Sequence, residues 1–215
     1  MCDRLPQSLN PGQALVFTTP GHDHLWQRLY ENDPEETARR AQVQWLGERD
    51  FLVEMLGGKY LLSGQKTLII GSADRLAPDR RAVLSLLNYL VGAKEGELSG
   101  RLVTETVLPG GDRFFSGTHA LSRKPILNAY GRNGAALLKN ASRLGAEIID
   151  SAAGSFSFSL FLLPKIFIQV TLCEEDEEFP AELYFAIDSA AADHVPLAII
   201  GSLVGLLNDQ LASWS

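Results

Sequence analysis

Cysteine is scarce in this 215-residue chain: Cys2 and Cys173 stand alone, about 170 positions apart, so neither a disulfide framework nor a four-thiolate iron–sulfur cluster is available. Long apolar runs are missing as well. "SLFLLPKIFIQVTL" and "VPLAIIGSLVGLL" are interrupted and shorter than the roughly 20 residues of a membrane span. "MCDRLPQSLNPGQ" has no basic segment followed by an apolar one, so no signal peptide is expected and the reading is cytoplasmic. No GxSxG elbow, HExxH, Walker A or GxGxxG fingerprint occurs, which leans the reading away from an enzyme without settling it.

Positive charge is absent from a whole region. After Lys165 there is no Lys or Arg, while nine acids follow. With 19 basic and 26 acidic residues in all, the first 165 positions carry 19 − 17 = +2 and the rest carries −9. An acidic chain lacks the broad basic surface of general nucleic-acid binding, and none is expected. Within the first part, Arg113 to Arg143 holds six basic residues and no acid.

Hydrophobic residues at 46% and charged residues at 21% are the balance of a globular chain long enough for a sizeable core. A helix is expected from Pro34, with Asp33 as N-cap and Glu35 and Glu36 in the first turn. "DFLVEMLGG", "KYLLSG" and "TLIIGS" read as an antiparallel meander, and "APDRRAVLSLLNYLVGAK" as an amphipathic helix. "RLVTETVLPGGDRFFSG" reads as two strands about a Pro-Gly-Gly turn, and 134–144 as a helix. "SFSFSLF", "KIFIQVTLC" and "ELYFAID" alternate strictly, the mark of antiparallel strands with one buried face. A closing amphipathic helix over 196–212 puts Ile199, Ile200, Leu203, Leu207 and Leu211 on one stripe, with Gly201 and Gly205 letting it lie close to the sheet. The expectation is one α+β domain over 1–215, antiparallel sheet with packed helices, residues 1–30 forming a loosely ordered segment.

Two stretches carry candidate chemistry. In "GGDRFFSGTHALSRKPILNAYGRNGAALLKNASR", Arg113, His119, Arg123, Lys124 and Arg132 surround glycines and a helix N-terminus capped by Asn133, a setting that favours an anion. The competing reading is a basic face that pairs with the acidic last third. His119 is a candidate axial ligand or proton donor, and His22 and His24 a weak transition-metal pair. His194 reads as helix-entry structure. "CEEDEEFP" sets Glu174, Glu175, Asp176, Glu177 and Glu178 between two strands. Its spacing matches no Ca²⁺ loop, leaving a solvated hairpin tip or a docking patch for a basic partner.

"LPGGDRFFSGTH…KPILNAYG", "LLPKIFIQVTLCEEDEEFPAELYFAIDSA" and the closing helix resemble a family of uncharacterised proteins from anaerobic bacteria and archaea, catalogued as a domain of unknown function. Some relatives carry an N-terminal iron–sulfur domain similar to that of corrinoid iron–sulfur proteins. The resemblance implies a setting in anaerobic one-carbon or corrinoid metabolism, an iron–sulfur or corrinoid protein as partner, and a corrinoid or other tetrapyrrole as the anionic ligand. This chain lacks the cysteines of those relatives, so an iron–sulfur centre would sit in the partner.

Overall fold

The computed structural model describes residues 14–18, 22–64, 68–72, 79–152 and 154–215. Among them are two five-stranded antiparallel sheets with helices packed on them, the α+β class that the alternating runs and helical stripes imply. Cys2 and the end segments of two expected elements, Thr67 and Ala77–Pro78, lie outside the described residues, as does most of the stretch expected to be loosely ordered. Its described parts are a strand and a helix.

The first sheet runs β1 (Ala14–Thr18), β5 (Leu68–Ser72), β4 (Gly58–Ser63), β3 (Asp50–Met55), β2 (Gln44–Trp45) in spatial order. Helices α1 (Asp23–Glu31), α2 (Pro34–Ala41) and α3 (Arg80–Gly92) accompany it. Helix α2 begins as the sequence requires: the Asp33 carboxylate accepts the Glu36 N–H at 2.8 Å, and Pro34 needs no partner at the first helical position. Asp79 caps α3 in the same way through the N–H groups of Arg81 and Ala82. Val83, Leu86, Leu87, Leu90 and Val91 of α3 are buried in one core with Phe51, Val53, Tyr60 and Leu62 of the sheet, and α3 packs on α1 and α2 and on the C-terminal helix over 197–212.

The second sheet runs β6 (Leu102–Val103), β10 (Glu182–Asp188), β9 (Ile166–Cys173), β8 (Ser155–Leu163), β7 (Glu147–Asp150). Period-two alternation sorts its residues: Ile166, Ile168, Val170 and Leu172 are buried while Phe167, Gln169, Thr171 and Cys173 between them are half-buried. Helices α5 (Lys124–Tyr130), α6 (Gly134–Ser142) and α8 (Leu197–Ala212) cover the apolar face. Each fully buried Leu, Ile or Phe contributes about 1.5–3 kcal/mol, and a single contiguous cluster runs from Leu25 to Leu211. Inside it, Tyr130 donates to Leu211 O at 2.6 Å and receives the Asn140 amide at 2.9 Å, tying α5, α6 and α8 together.

Three expectations change. After β6 the chain forms a 3-10 turn (Glu105–Val107) and the short helix α4 (Gly111–Phe114) instead of a second strand. A Cβ at Gly111 would lie 2.1 Å from Glu105 O, so the missing side chain lets the backbone fold back on itself, and Phe115 is buried there. Helix α5 stands where no helix is anticipated. The glycines of α8 face neighbours other than the sheet: Gly201 meets Phe115 and Leu121, and Gly205 meets Arg81 of α3. Gly201 thus makes room for side chains of the segment after α4, and Gly205 for a side chain of α3.

Candidate functional site

The link between β9 and β10 divides its carboxylates by direction. Glu174 donates its N–H to Gly154 O at 2.9 Å, and its carboxylate accepts the N–H of Gly134, the first residue of α6, at 2.5 Å. Asn133 takes the Ala136 N–H at 3.0 Å. The helix N-terminus that the sequence offers to an external anion is thus met by the protein's own carboxylate, which the macrodipole favours there. Glu175 donates to Gly131 O at 3.0 Å and pairs with Arg132. Asp176 organises the turn: its carboxylate accepts the N–H groups of Glu178 (2.8 Å) and Phe179 (2.7 Å), and its own N–H donates to Phe179 O (3.0 Å). Those two backbone donors hold the Asp176 carboxyl below its usual range. Beyond this lock, Glu177 and Glu178 are exposed and the Phe179 ring is 66% accessible.

The five basic-segment residues are placed separately; among the described residues no hydrogen bond, ion pair or ring contact joins any two of them. Arg123 is committed to the fold. Its guanidinium donates to Leu183 O (2.9 Å), Leu121 O (3.0 Å) and Glu105 Oε1 (2.8 Å) and lies over the Phe185 ring. Arg132 faces Glu175. Arg113 on α4, His119 and Lys124, the first residue of α5, are exposed, and the His119 ring stacks on Phe114 at 4.9 Å. Of the other histidines, His22 is buried before α1 and His24 is exposed.

Buried polar groups cluster elsewhere. The loop 93–101 after α3 is clasped at both ends. Lys94 donates its N–H to His194 Nδ1 (3.3 Å) and accepts Lys165 Nζ on its carbonyl (2.8 Å). Both side chains are 3% exposed, Lys165 from the β8–β9 turn and His194 from α7 (Ala191–His194). At the other end Asp188 accepts from Ser99 N and Oγ, Gly100 N and Ala190 N. Burial works against its ionisation, but these donors hold its carboxyl below the usual range. His194 accordingly does more than lead into α8.

One feature escapes the sequence reading. A groove of about 810 Å³ opens where the β3–β4 hairpin meets the end of α6 and the β8–β9 turn. Leu52 and Leu163 come from different sheets and Arg143 from the cap that follows α6, so no local pattern marks it. The hairpin tip that borders it does carry a signal, the dipeptide Leu56-Gly57 between strands. Both residues take positive φ, 51° and 68°, as a type I′ two-residue turn requires. Leu56 donates its N–H to Leu162 O at 3.1 Å, and a Cβ at Gly57 would lie 2.3 Å from Leu144 O. The tip is locked against the second sheet.

The domain of unknown function DUF3786 matches residues 33–209, more than half of the chain. The chain belongs to that family. Neither curated proteins nor solved structures give a match. In this DUF3786 chain the match takes in the basic segment, the acidic turn and the groove.

Proposed function

We propose that this DUF3786 protein is a non-catalytic accessory module that docks a basic partner through the outer half of its acidic turn. The observation that carries the reading is Phe179, two-thirds accessible on a turn that Asp176 fixes with three hydrogen bonds. An exposed aromatic on a fixed backbone, preceded by Glu177 and Glu178, combines an apolar anchor with charge for a basic surface. The family resemblance supports an anaerobic setting, with an iron–sulfur or corrinoid protein as that partner. A second reading rests on His119, Arg113 and Lys124, which keep their polar groups at the surface while Arg123 and Arg132 are engaged. There the module accepts an anionic small molecule, a corrinoid or other tetrapyrrole with carboxylates or phosphates.

The test places a photo-cross-linking phenylalanine analogue at position 179 in host cells grown without oxygen. The expected result is one basic protein captured, and none at about 0.5 M salt, where the Debye length shrinks to a few Å, or in the Glu177→Gln/Glu178→Gln variant. Capture unchanged by both would overturn the docking reading. No capture, with tetrapyrrole absorption that disappears in His119→Ala, would establish the second reading instead.

A further inference from the structure

The second sheet ends in an open edge. β7 is its outermost strand and is bonded to β8 on one side only. Among the described residues, no hydrogen bond from outside the β7–β8 ladder reaches a backbone group of 147–150. All four residues are exposed, Ile148 at 40% and Ile149 at 51%. A row of unpaired N–H and C=O groups beside bare isoleucines is a template for one more strand.

The register decides what that strand must carry. Glu147 lies opposite Ser159 and Asp150 opposite Ser157, two positions apart on β8 although three apart on β7. The bulge between Ile148 and Asp150 absorbs the extra residue and brings both carboxylates onto one face. That face is the one away from α6: the start of α6 meets the Phe156 ring, which alternation puts on the side of the buried Phe158. Asp150 accepts the Ala152 N–H at 3.0 Å, and among the described residues neither acid has a basic partner. Full-length antiparallel pairing of two β7 strands would set Glu147 against Asp150, and parallel pairing would set each acid against its copy. Like charges directly opposite destabilise a rung, which rules against a second copy as the occupant. A strand that alternates basic, apolar and basic residues sets its cations beside both carboxylates and its apolar residue beside Ile148.

We infer that β7 is a docking edge for an extended basic segment of another protein, taken up as a sixth strand of this five-stranded sheet. Backbone hydrogen bonds recognise the extended chain, and Glu147 and Asp150 select Lys or Arg at alternate positions. None of these residues belongs to the acidic turn, so the edge and the docking reading can fail separately.

Amide NMR of the full chain, titrated with the capped pentapeptide Lys-Val-Lys-Val-Lys, tests the assignment. Shifts are expected at 147–150 and in β8 behind them, saturating below about 10 mM. Two N-methylated peptides, one methylated on the lysines and one on the valines, separate strand addition from plain charge attraction. Alternate N–H groups of a strand point to opposite sides, so one form alone should bind at least about ten-fold more weakly. Glu-Val-Glu-Val-Glu should bind about five-fold more weakly or worse. Glu147→Lys changes an exposed side chain, keeps the fold by thermal melt, and should narrow or reverse that preference. The Glu177→Gln/Glu178→Gln variant should bind as the unaltered chain does. No saturable shift at β7, equal binding of both N-methylated forms, an unchanged preference in Glu147→Lys, or shifts lost in the acidic-turn variant overturns it. So does a concentration-dependent dimer with β7 at its contact, which would make a second copy the occupant.

Discussion

The β3–β4 and β9–β10 hairpins end in opposite ways. Leu56-Gly57 is a two-residue tip driven into the other sheet, with Leu56 buried and its backbone bonded to Leu162. The residues 174–181 form a wide connection whose first two carboxylates turn inward to α6 and Arg132 and whose last two face water. The β8–β9 tip, Pro164-Lys165, lies between these extremes, since it buries a charged residue on a single carbonyl. Tips are thus not uniformly solvent-facing: where a backbone group or a helix terminus awaits, the tip becomes a structural joint. Where none does, its side chains stay in water.

The largest effect is expected at the first joint. Gly57→Ala forces an L side chain to φ 68° and sets its Cβ 2.3 Å from Leu144 O, in backbone that cannot swing aside. Together strain and clash should cost roughly 2–4 kcal/mol in denaturant unfolding. Gly145→Ala separates the two contributions: its φ is 78° but nothing lies within 4 Å, so about 1 kcal/mol is expected there. Equal losses at both positions would show that the Gly57 tip is not a joint.

The middle tip makes stability depend on pH. Burial pushes the His194 imidazole below its ordinary value, and the positive charge of Lys165 pushes the same way. Burial likewise lowers Lys165, against the attraction of Glu95. Lys94 and the acids Asp193 and Asp188 also face His194. In the fold Nδ1 accepts the Lys94 N–H, so the neutral ring is the native form. The unfolded chain binds the proton at about pH 6.5. The stabilisation is therefore whole above that pH and is lost as pH falls through the lower folded value. His194→Gln keeps an acceptor for Lys94 and removes the titration. Thermal melts from about pH 7.5 to 5 should show a steeper fall for the unaltered protein than for the variant, and parallel curves would refute the coupling.

What could be read from the residues beforehand follows the range of the interactions. The strands β8, β9 and β10 are legible because one buried face imposes alternation on the sequence itself, and α2 because Asp33 and Glu36 are three residues apart. The commitment of Arg123 is hidden, since its acid Glu105 lies 18 positions away in a turn whose Pro-Gly-Gly sequence reads as a hairpin. The capping of α6 by Glu174 spans 40 positions, and the groove joins Leu52 to Leu163. Both depend on which segments the sheets bring together, which periodicity does not encode.

The smallest stability effect belongs to the exposed tip. Among the described residues, the side chains of Glu177, Glu178 and Phe179 take no part in the hydrogen bonds that fix the connection; the backbone N–H groups of 178 and 179 hold the turn, and these survive a change of side chain. Glu177→Gln/Glu178→Gln/Phe179→Ser should therefore move the thermal midpoint by less than about 2 °C. Asp176→Ala removes the acceptor for both donors and should raise the mobility of residues 176–179 without touching Glu174 or Glu175. Backbone NMR relaxation reads that difference directly. A large thermal loss in the triple variant would mean that Phe179 supports the fold, and the contrast between joint and exposed tip would collapse. A silent triple variant leaves an exposed aromatic on a fixed turn with no structural task, the property expected of a surface kept for another molecule.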